Sequence, residues 1–205
     1  MTQPALIHVV DDDASFRDSL LDLLQAVGFE VRGYASTGDF LLDATPDRPG
    51  CVLLDMRLPG PSGLDLQAAL LRQERTIPII FLTGHADVAT GIRAMKAGAV
   101  DFLEKPVQRD ALIEAIGRAL ERDAGERSAR AERQRRQERL GALTVREREV
   151  FALIVAGRLN KQIADDLSIS LRTVKAYRAH LMEKLGVATA AELGRLAGEL
   201  RDTTG

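Results

Sequence analysis

The first 120 residues alternate five short apolar runs with amphipathic stretches, and that alternation leaves few folds open. The runs are Leu6–Val10, Glu30–Tyr34, Cys51–Leu54, Ile79–Leu82 and Val100–Leu103. Between them, Leu20, Leu23, Leu24 and Val27 keep helical spacing up to Gly28. Ser36 is placed to cap a helix over Thr37–Ala44, and Leu64, Leu66, Leu70 and Leu71 make a third helical pattern. Val88–Ala97 is a fourth, and Leu112, Ile113, Ile116 and Leu120 mark a fifth. Strands that alternate with helices predict a parallel sheet covered on both faces. The expected class is α/β, a flavodoxin-like (βα)5 domain with its chemistry at the carboxyl ends of the strands.

A different pattern follows. Residues 121–139 hold almost nothing to bury and no proline, so they predict a polar helix continuing from the fifth, with Gly125 as its weak point. From Thr144 the spacing is helical throughout. Thr144-Val-Arg-Glu147 is a capping box opening a helix to about Ala156. Asn160–Leu167 makes a second helix, and Ser170 caps a third that runs to Leu185 before Gly186. Thr189-Ala-Ala-Glu192 opens a fourth, with Leu193, Leu196 and Leu200 on one face. The expected organisation is a domain over 1–120, a helical linker over 121–139 and an all-α domain over 140–205.

Charge divides the chain in the same way. Residues 1–122 carry 12 Lys+Arg against 18 Asp+Glu, whereas residues 123–205 carry 16 against 12. An acidic front and a basic back predict separate tasks, with a polyanion as the partner of the back. No apolar run approaches the roughly 20 residues needed to cross a bilayer. Met1–Ala5 lacks the basic and apolar regions of a secretory signal. The single Cys51 heads an apolar run, so it reads as a small core hydrophobe. Together these features predict a cytoplasmic protein with no membrane partner.

The candidate site lies where the strands end. Asp11, Asp12 and Asp13 follow the first strand, Asp55 ends the third, Thr83 ends the fourth, and Lys105 follows the fifth. Carboxylates gathered at one edge repel one another unless a cation neutralises them, and an all-oxygen set suits a hard ion such as Mg2+. A metal-bound carboxylate beside a lysine and a hydroxyl is what phosphoryl transfer to aspartate requires, with Asp55 as nucleophile. Asp13 reads equally well as the cap of the first helix. A flavin domain would want a Ser-, Thr- and Gly-rich loop where the three aspartates stand. An aspartate-nucleophile phosphatase would carry its nucleophile after the first strand, together with further catalytic acids and a cap insertion, and the chain fits neither alternative well.

These segments also carry a resemblance. His8-Val-Val-Asp-Asp12, Leu54-Asp-Met-Arg-Leu-Pro59, Phe81-Leu-Thr-Gly-His85 and Ala97-Gly-Ala-Val-Asp-Phe-Leu-Glu-Lys-Pro106 resemble a response-regulator receiver over residues 5–122. The resemblance implies Asp55 as phosphoacceptor. It implies Asp11, Asp12, Asp55 and the Arg57 backbone carbonyl at the metal, with Asp12 a direct ligand. Thr83 becomes the switch hydroxyl, Lys105 the phosphate clamp and Phe102 the switch aromatic. Read without the family, Phe102 is a core strand residue. Leu143-Thr-Val-Arg-Glu-Arg-Glu-Val150, Asn160-Lys-Gln-Ile-Ala164, Arg172-Thr-Val-Lys175 and Leu181-Met-Glu-Lys-Leu185 are similar to the LuxR/NarL-type helix-turn-helix output domain, and the receiver segments favour the FixJ branch.

The combined resemblance implies a NarL/FixJ-type regulator phosphorylated by a sensor histidine kinase, with Ser15, Arg17, Asp18 and Leu21 facing the kinase. It also implies a homodimer on phosphorylation, a double-stranded DNA operator, RNA polymerase as a further partner, and no catalysis beyond the receiver's own phosphorylation and dephosphorylation. On a helical wheel, Val174, Tyr177, Leu181 and Leu185 share the face to bury, while Arg172, Lys175, Ala176, Ala179 and Glu183 lie opposite. Small residues flanked by cations can approach a major groove closely. The expected DNA-binding set is Lys161, Arg172, Thr173, Lys175, Ala176 and Ala179, with Lys175 on a base and Lys161 and Arg172 on phosphates. Arg178 sits at the core edge. A helical protein-interaction module and an RNA-binding output are the competing readings of this half.

Overall fold

The computed structural model describes residues 4–43, 48–73, 75–84 and 88–202, with the side chains of 88 and 197–202 outside that description. Ala44 at the expected end of the second helix, His85 and the Leu200 side chain therefore lie outside the described residues. The chain divides into two compact units, Met1–Ser128 and Ala129–Gly205.

In the first unit five strands, β1 (Leu6–Val10), β2 (Glu30–Tyr34), β3 (Gly50–Asp55), β4 (Ile79–Thr83) and β5 (Asp101–Glu104), form one parallel sheet in the order β2-β1-β3-β4-β5. This is the flavodoxin-like order. Helices α1 (Ala14–Val27), α2 (Thr37–Leu42), α3 (Gly63–Arg72), α4 (Val88–Lys96) and α5 (Arg109–Gly141) alternate with the strands. Side chains alternate across each strand, so β3 serves two cores. Val52 and Leu54 pack with Phe40, Leu66, Leu70 and Ala94 on the α2–α4 side. Cys51 and Leu53 pack with Leu20, Leu24, Leu112 and Ile116 on the α1–α5 side. Burial pushes the Cys51 thiol up to about 12, which leaves it an inert core group.

The helix ends follow local chemistry. The Asp13 carboxylate accepts from Phe16 N–H and caps α1, which ends at Gly28 in the left-handed region. Ser36 caps α2, and Ser62 with Asp65 forms a reciprocal capping box on α3. On β1, His8 Nδ1 lies 2.9 Å from the Tyr34 hydroxyl, which donates to Asp43 at 2.6 Å. Burial holds His8 well below its usual range, at about 4, so it stays neutral and stacks with Tyr34.

Helix α5 runs without a break through Gly125. Ion pairs one turn apart, Glu114–Arg118, Arg122–Glu126, Asp123–Arg127 and Glu132–Arg136, support its polar course. One polar residue of the 121–139 stretch, which was expected to hold almost nothing to bury, is buried. Asp123 is 2% exposed, accepts from Gly50 N–H at 3.1 Å, and pairs with Arg127, which in turn reaches the Arg48 carbonyl.

The second unit contains the end of α5 and four helices, α6 (Val145–Val155), α7 (Asn160–Leu167), α8 (Leu171–Leu185) and α9 (Ala190–Asp202). Its core holds Leu143, Val150, Ile154, Ile163, Val174, Leu181, Leu185 and Leu193, with Tyr177 and Leu196 packed against it. α7 and α8 are joined by a three-residue turn from Ser168, whose backbone is left-handed, to the α8 cap Ser170. The Thr144–Glu147 capping box opens α6 as expected. At α9 the motif is modified: Thr189 accepts from Glu192 N–H, but the Glu192 carboxylate reaches Ala188 N–H at 2.7 Å.

Candidate phosphoryl-transfer site and nucleic-acid interface

The carboxyl ends of β1, β3, β4 and β5 meet at one edge, and four expected residues converge there. Asp11, just past β1, is fully buried, and Asp55 closes β3 at 7% exposure. Carboxylate oxygens of Asp11, Asp12 and Asp55 lie within 4.8 Å of one another. Lys105, just past β5, donates to Asp11 Oδ2 and Asp55 Oδ2, each at 2.7 Å. The remaining oxygens are used as well. Asp13 N–H donates to Asp11 Oδ1 at 3.1 Å, and Arg57 N–H to Asp55 Oδ1 at 2.8 Å.

The site is electrostatically tense. Burial raises the Asp11 pKa against the pull of the Lys105 hydrogen bond. Burial also disfavours the Lys105 ammonium, but its bonds to Asp11 and Asp55 outweigh this and raise its pKa. Three converging carboxylates with one organic cation form an all-oxygen donor set that fits a hard divalent ion. Asp12 is exposed, so its carboxylate is the solvent-facing one of the three. Thr83 is buried at the end of β4, and its carbonyl accepts Lys105 N–H at 2.7 Å. Phe102 is half-buried on β5 beside Gly91 of α4, where an added Cβ would lie 3.6 Å from its ring. Its packing against the α2–α4 core agrees with the strand-core reading as well.

Two supporting residues were not read as such from sequence. Arg17 is half-buried and donates to the Asp11 carbonyl at 2.7 Å, which fixes the turn after β1. Phe16 lies beneath Lys105, with the ammonium 4.2 Å from its ring centre. An aromatic one turn after an acidic triplet is the signal that could have found it, but one sequence does not say which way that ring turns.

In the second unit, α8 presents Arg172, Lys175, Ala176 and Ala179 to solvent, opposite buried Val174, Leu181 and Leu185. Lys161 is exposed in the first turn of α7. Thr173 is half-buried and its hydroxyl pairs with Ser170 at 2.7 Å within the α8 cap, so it stands apart from the exposed set. Arg178 is half-buried. Glu147 was expected only as a capping residue. It also binds Lys184 of α8 at 2.8 Å, and this pair with the Thr144 bonds holds its carboxyl at about 2.

Comparison with known proteins matches this division. The response regulator receiver domain covers residues 7–117, and the luxR family of bacterial regulatory proteins covers residues 141–197. The chain is 43% identical to Nodulation protein W of Bradyrhizobium diazoefficiens, over 96% of this chain and 86% of that one. It is 41% identical to Transcriptional regulatory protein FixJ of Azorhizobium caulinodans, over 96% and 93%. Among solved structures, the response regulator StyR aligns with a TM-score of 0.85 at 42% identity, covering 96% of this chain and 100% of that one. The chain belongs to the NarL/FixJ family of two-component response regulators, phosphorylation-controlled transcription regulators that join a receiver to a LuxR-type DNA-binding domain.

Proposed function

We propose that Asp55 is the phosphoacceptor and that a sensor histidine kinase is the donor. The observation that carries this reading is the Lys105 ammonium 2.7 Å from both Asp11 and Asp55, with Asp12 alongside. A carboxylate oxygen of Asp55 attacks phosphorus, the donor's P–N bond breaks, and the leaving nitrogen takes a proton. Asp11, Asp12, Asp55 and the Arg57 carbonyl would hold Mg2+, which supplies charge neutralisation at the phosphoryl oxygens when bound. Lys105 neutralises a further part of that charge, and the Thr83 hydroxyl donates to a phosphoryl oxygen. The protein catalyses nothing beyond its own phosphorylation and dephosphorylation.

The receiver spans 1–120, the helical linker 121–139 and the DNA-binding domain 140–205. Thr83 and Phe102 move inward together and alter the α4–β5 face, biasing a pre-existing equilibrium toward a dimer. Ile92 and Met95, both exposed on α4, support that face as the seat of a second copy. Two linked DNA-binding domains then occupy an operator with an effective-concentration advantage. Lys175 reads a base edge, Ala176 and Ala179 touch thymine methyls or give the helix clearance in the groove, and Lys161 and Arg172 contact phosphates, while Thr173 holds the start of α8 through its bond to Ser170. The protein acts in the cytoplasm, and RNA polymerase is a further partner on DNA.

Gel shifts on duplex DNA selected by the protein, on random duplex and on structured RNA test the output reading. Lys175→Ala is expected to lower discrimination between selected and random DNA by about 1–3 kcal/mol, and Lys161→Ala to weaken both alike. Affinity falls steeply with salt as phosphate contacts release counterions. Preferential RNA binding, or salt-insensitive binding, refutes the DNA reading.

A further inference from the structure

We infer that Phe16 is a positioning residue for phosphoryl transfer, holding the Lys105 ammonium in the acidic site through its ring face. The inference rests on the receiver reading above. Lys105 reaches the site on a flexible four-carbon stem, whose freedom opposes any single placement. Its anchors are of two kinds. Asp11 and Asp55 each accept a directional hydrogen bond at 2.7 Å. The Phe16 ring offers a broad electrostatic attraction, with Nζ 4.2 Å from the ring centre.

The difference matters during the reaction. When a phosphoryl group arrives at Asp55, the ammonium must exchange a carboxylate oxygen for a phosphoryl oxygen. A π face has no fixed partner atom, so Lys105 can slide over it through that exchange without losing the contact. Without the ring, each exchange opens a moment in which solvent competes for the ammonium.

The local fold keeps the ring in place. Phe16 is half-buried, packs against the α1–α5 core, and donates its own N–H to the Asp13 cap. The next residue, Arg17, grips the Asp11 carbonyl at 2.7 Å. The first turn of α1 is thereby tied to the same buried loop that carries Asp11, which fixes where the ring stands relative to Lys105.

The test uses the full chain with saturating Mg2+ and phosphoramidate as donor, following the labelling rate by intact mass. Phe16→Leu keeps apolar bulk and removes the π face, whereas Phe16→Tyr keeps it. We expect Phe16→Leu to slow labelling roughly two- to thirty-fold, the range for a partly desolvated cation–π contact. Phe16→Tyr should stay within about twofold of wild type on the same scale. Placed on Lys105→Ala, Phe16→Leu should add no further slowing, because the group it positions is gone.

A second readout needs no variant that might fold poorly. In the wild-type protein the Lys105 Hε protons should resonate upfield through the ring current of Phe16. The inference is overturned if Leu and Tyr variants slow labelling equally, if Phe16→Leu slows the Lys105→Ala protein as much as wild type, or if those protons show no upfield shift. A wild-type protein that takes no label at all instead sinks the receiver reading itself.

Discussion

Lys105→Ala should cut the rate of labelling by a small phosphodonor about 10²–10³-fold, the usual cost of removing one preorganised charge-stabilising group. The geometry gives the reason. Nζ sits 2.7 Å from an Asp55 oxygen, and both side chains are mostly shielded, so developing charge there is less screened than in open water. The same substitution leaves Asp11 buried without its cation. Breaking a buried pair costs up to about 3–5 kcal/mol. Magnesium binding should persist, since no carboxylate ligand is removed. Calorimetry for Mg2+ and the labelling time course check this together. Lost magnesium affinity with unchanged labelling contradicts the assignment of Lys105 to the phosphoryl group.

Gly50→Ala should destabilise the first unit by about 3 kcal/mol or more. An ideal Cβ at this position would stand 2.1 Å from the Leu6 carbonyl oxygen and 3.1 Å from its carbon. Those are backbone atoms of the β1–β3 ladder, where Leu6 pairs with Gly50, so no flexible side chain can yield. Gly50 N–H also anchors the buried Asp123 of α5, and a shift of β3 strains that contact too. The melting transition of the first unit should fall by roughly 10 °C or more. A variant melting within about 2 °C of wild type, measured against the same scale, contradicts this packing.

The contrast between Gly50 and the acidic edge shows what one sequence reveals. The five strands announce themselves because each is a short β-rich run bounded by turn residues, and the parallel sheet follows from their alternation with helices. Asp11, Asp12, Asp55, Thr83 and Lys105 were legible because parallel topology sends every strand's carboxyl end to one edge. α8 was legible because its apolar and cationic faces separate cleanly on a wheel.

What escaped depends on long-range placement of single side chains. Asp123 sits in a stretch of alternating charge, and nothing local distinguishes it from Glu121 or Glu126, yet it alone meets Gly50 N–H. Phe16 looks like any apolar residue of an amphipathic helix until Lys105 is placed above it, 89 positions away. The Glu147 capping signal was plain, but its second partner Lys184 lies on another helix. Thr173 belongs to a recognisable motif, and only the cap geometry shows its hydroxyl already engaged by Ser170.

Metal-dependent phosphorylation of Asp55, and the control over oligomeric state proposed for it, can be tested in one measurement. Full-length protein is incubated with phosphoramidate, with and without Mg2+, beside Asp55→Asn, and each sample is taken to intact mass and to sizing. Asn is nearly isosteric with Asp, so the variant should keep its fold while losing the nucleophile. Wild type should gain one acid-labile phosphoryl group only when Mg2+ is present, that sample should shift toward dimer, and Asp55→Asn should take no label. Equal labelling of Asp55→Asn and wild type, or full labelling of wild type with the metal chelated, would contradict this reading.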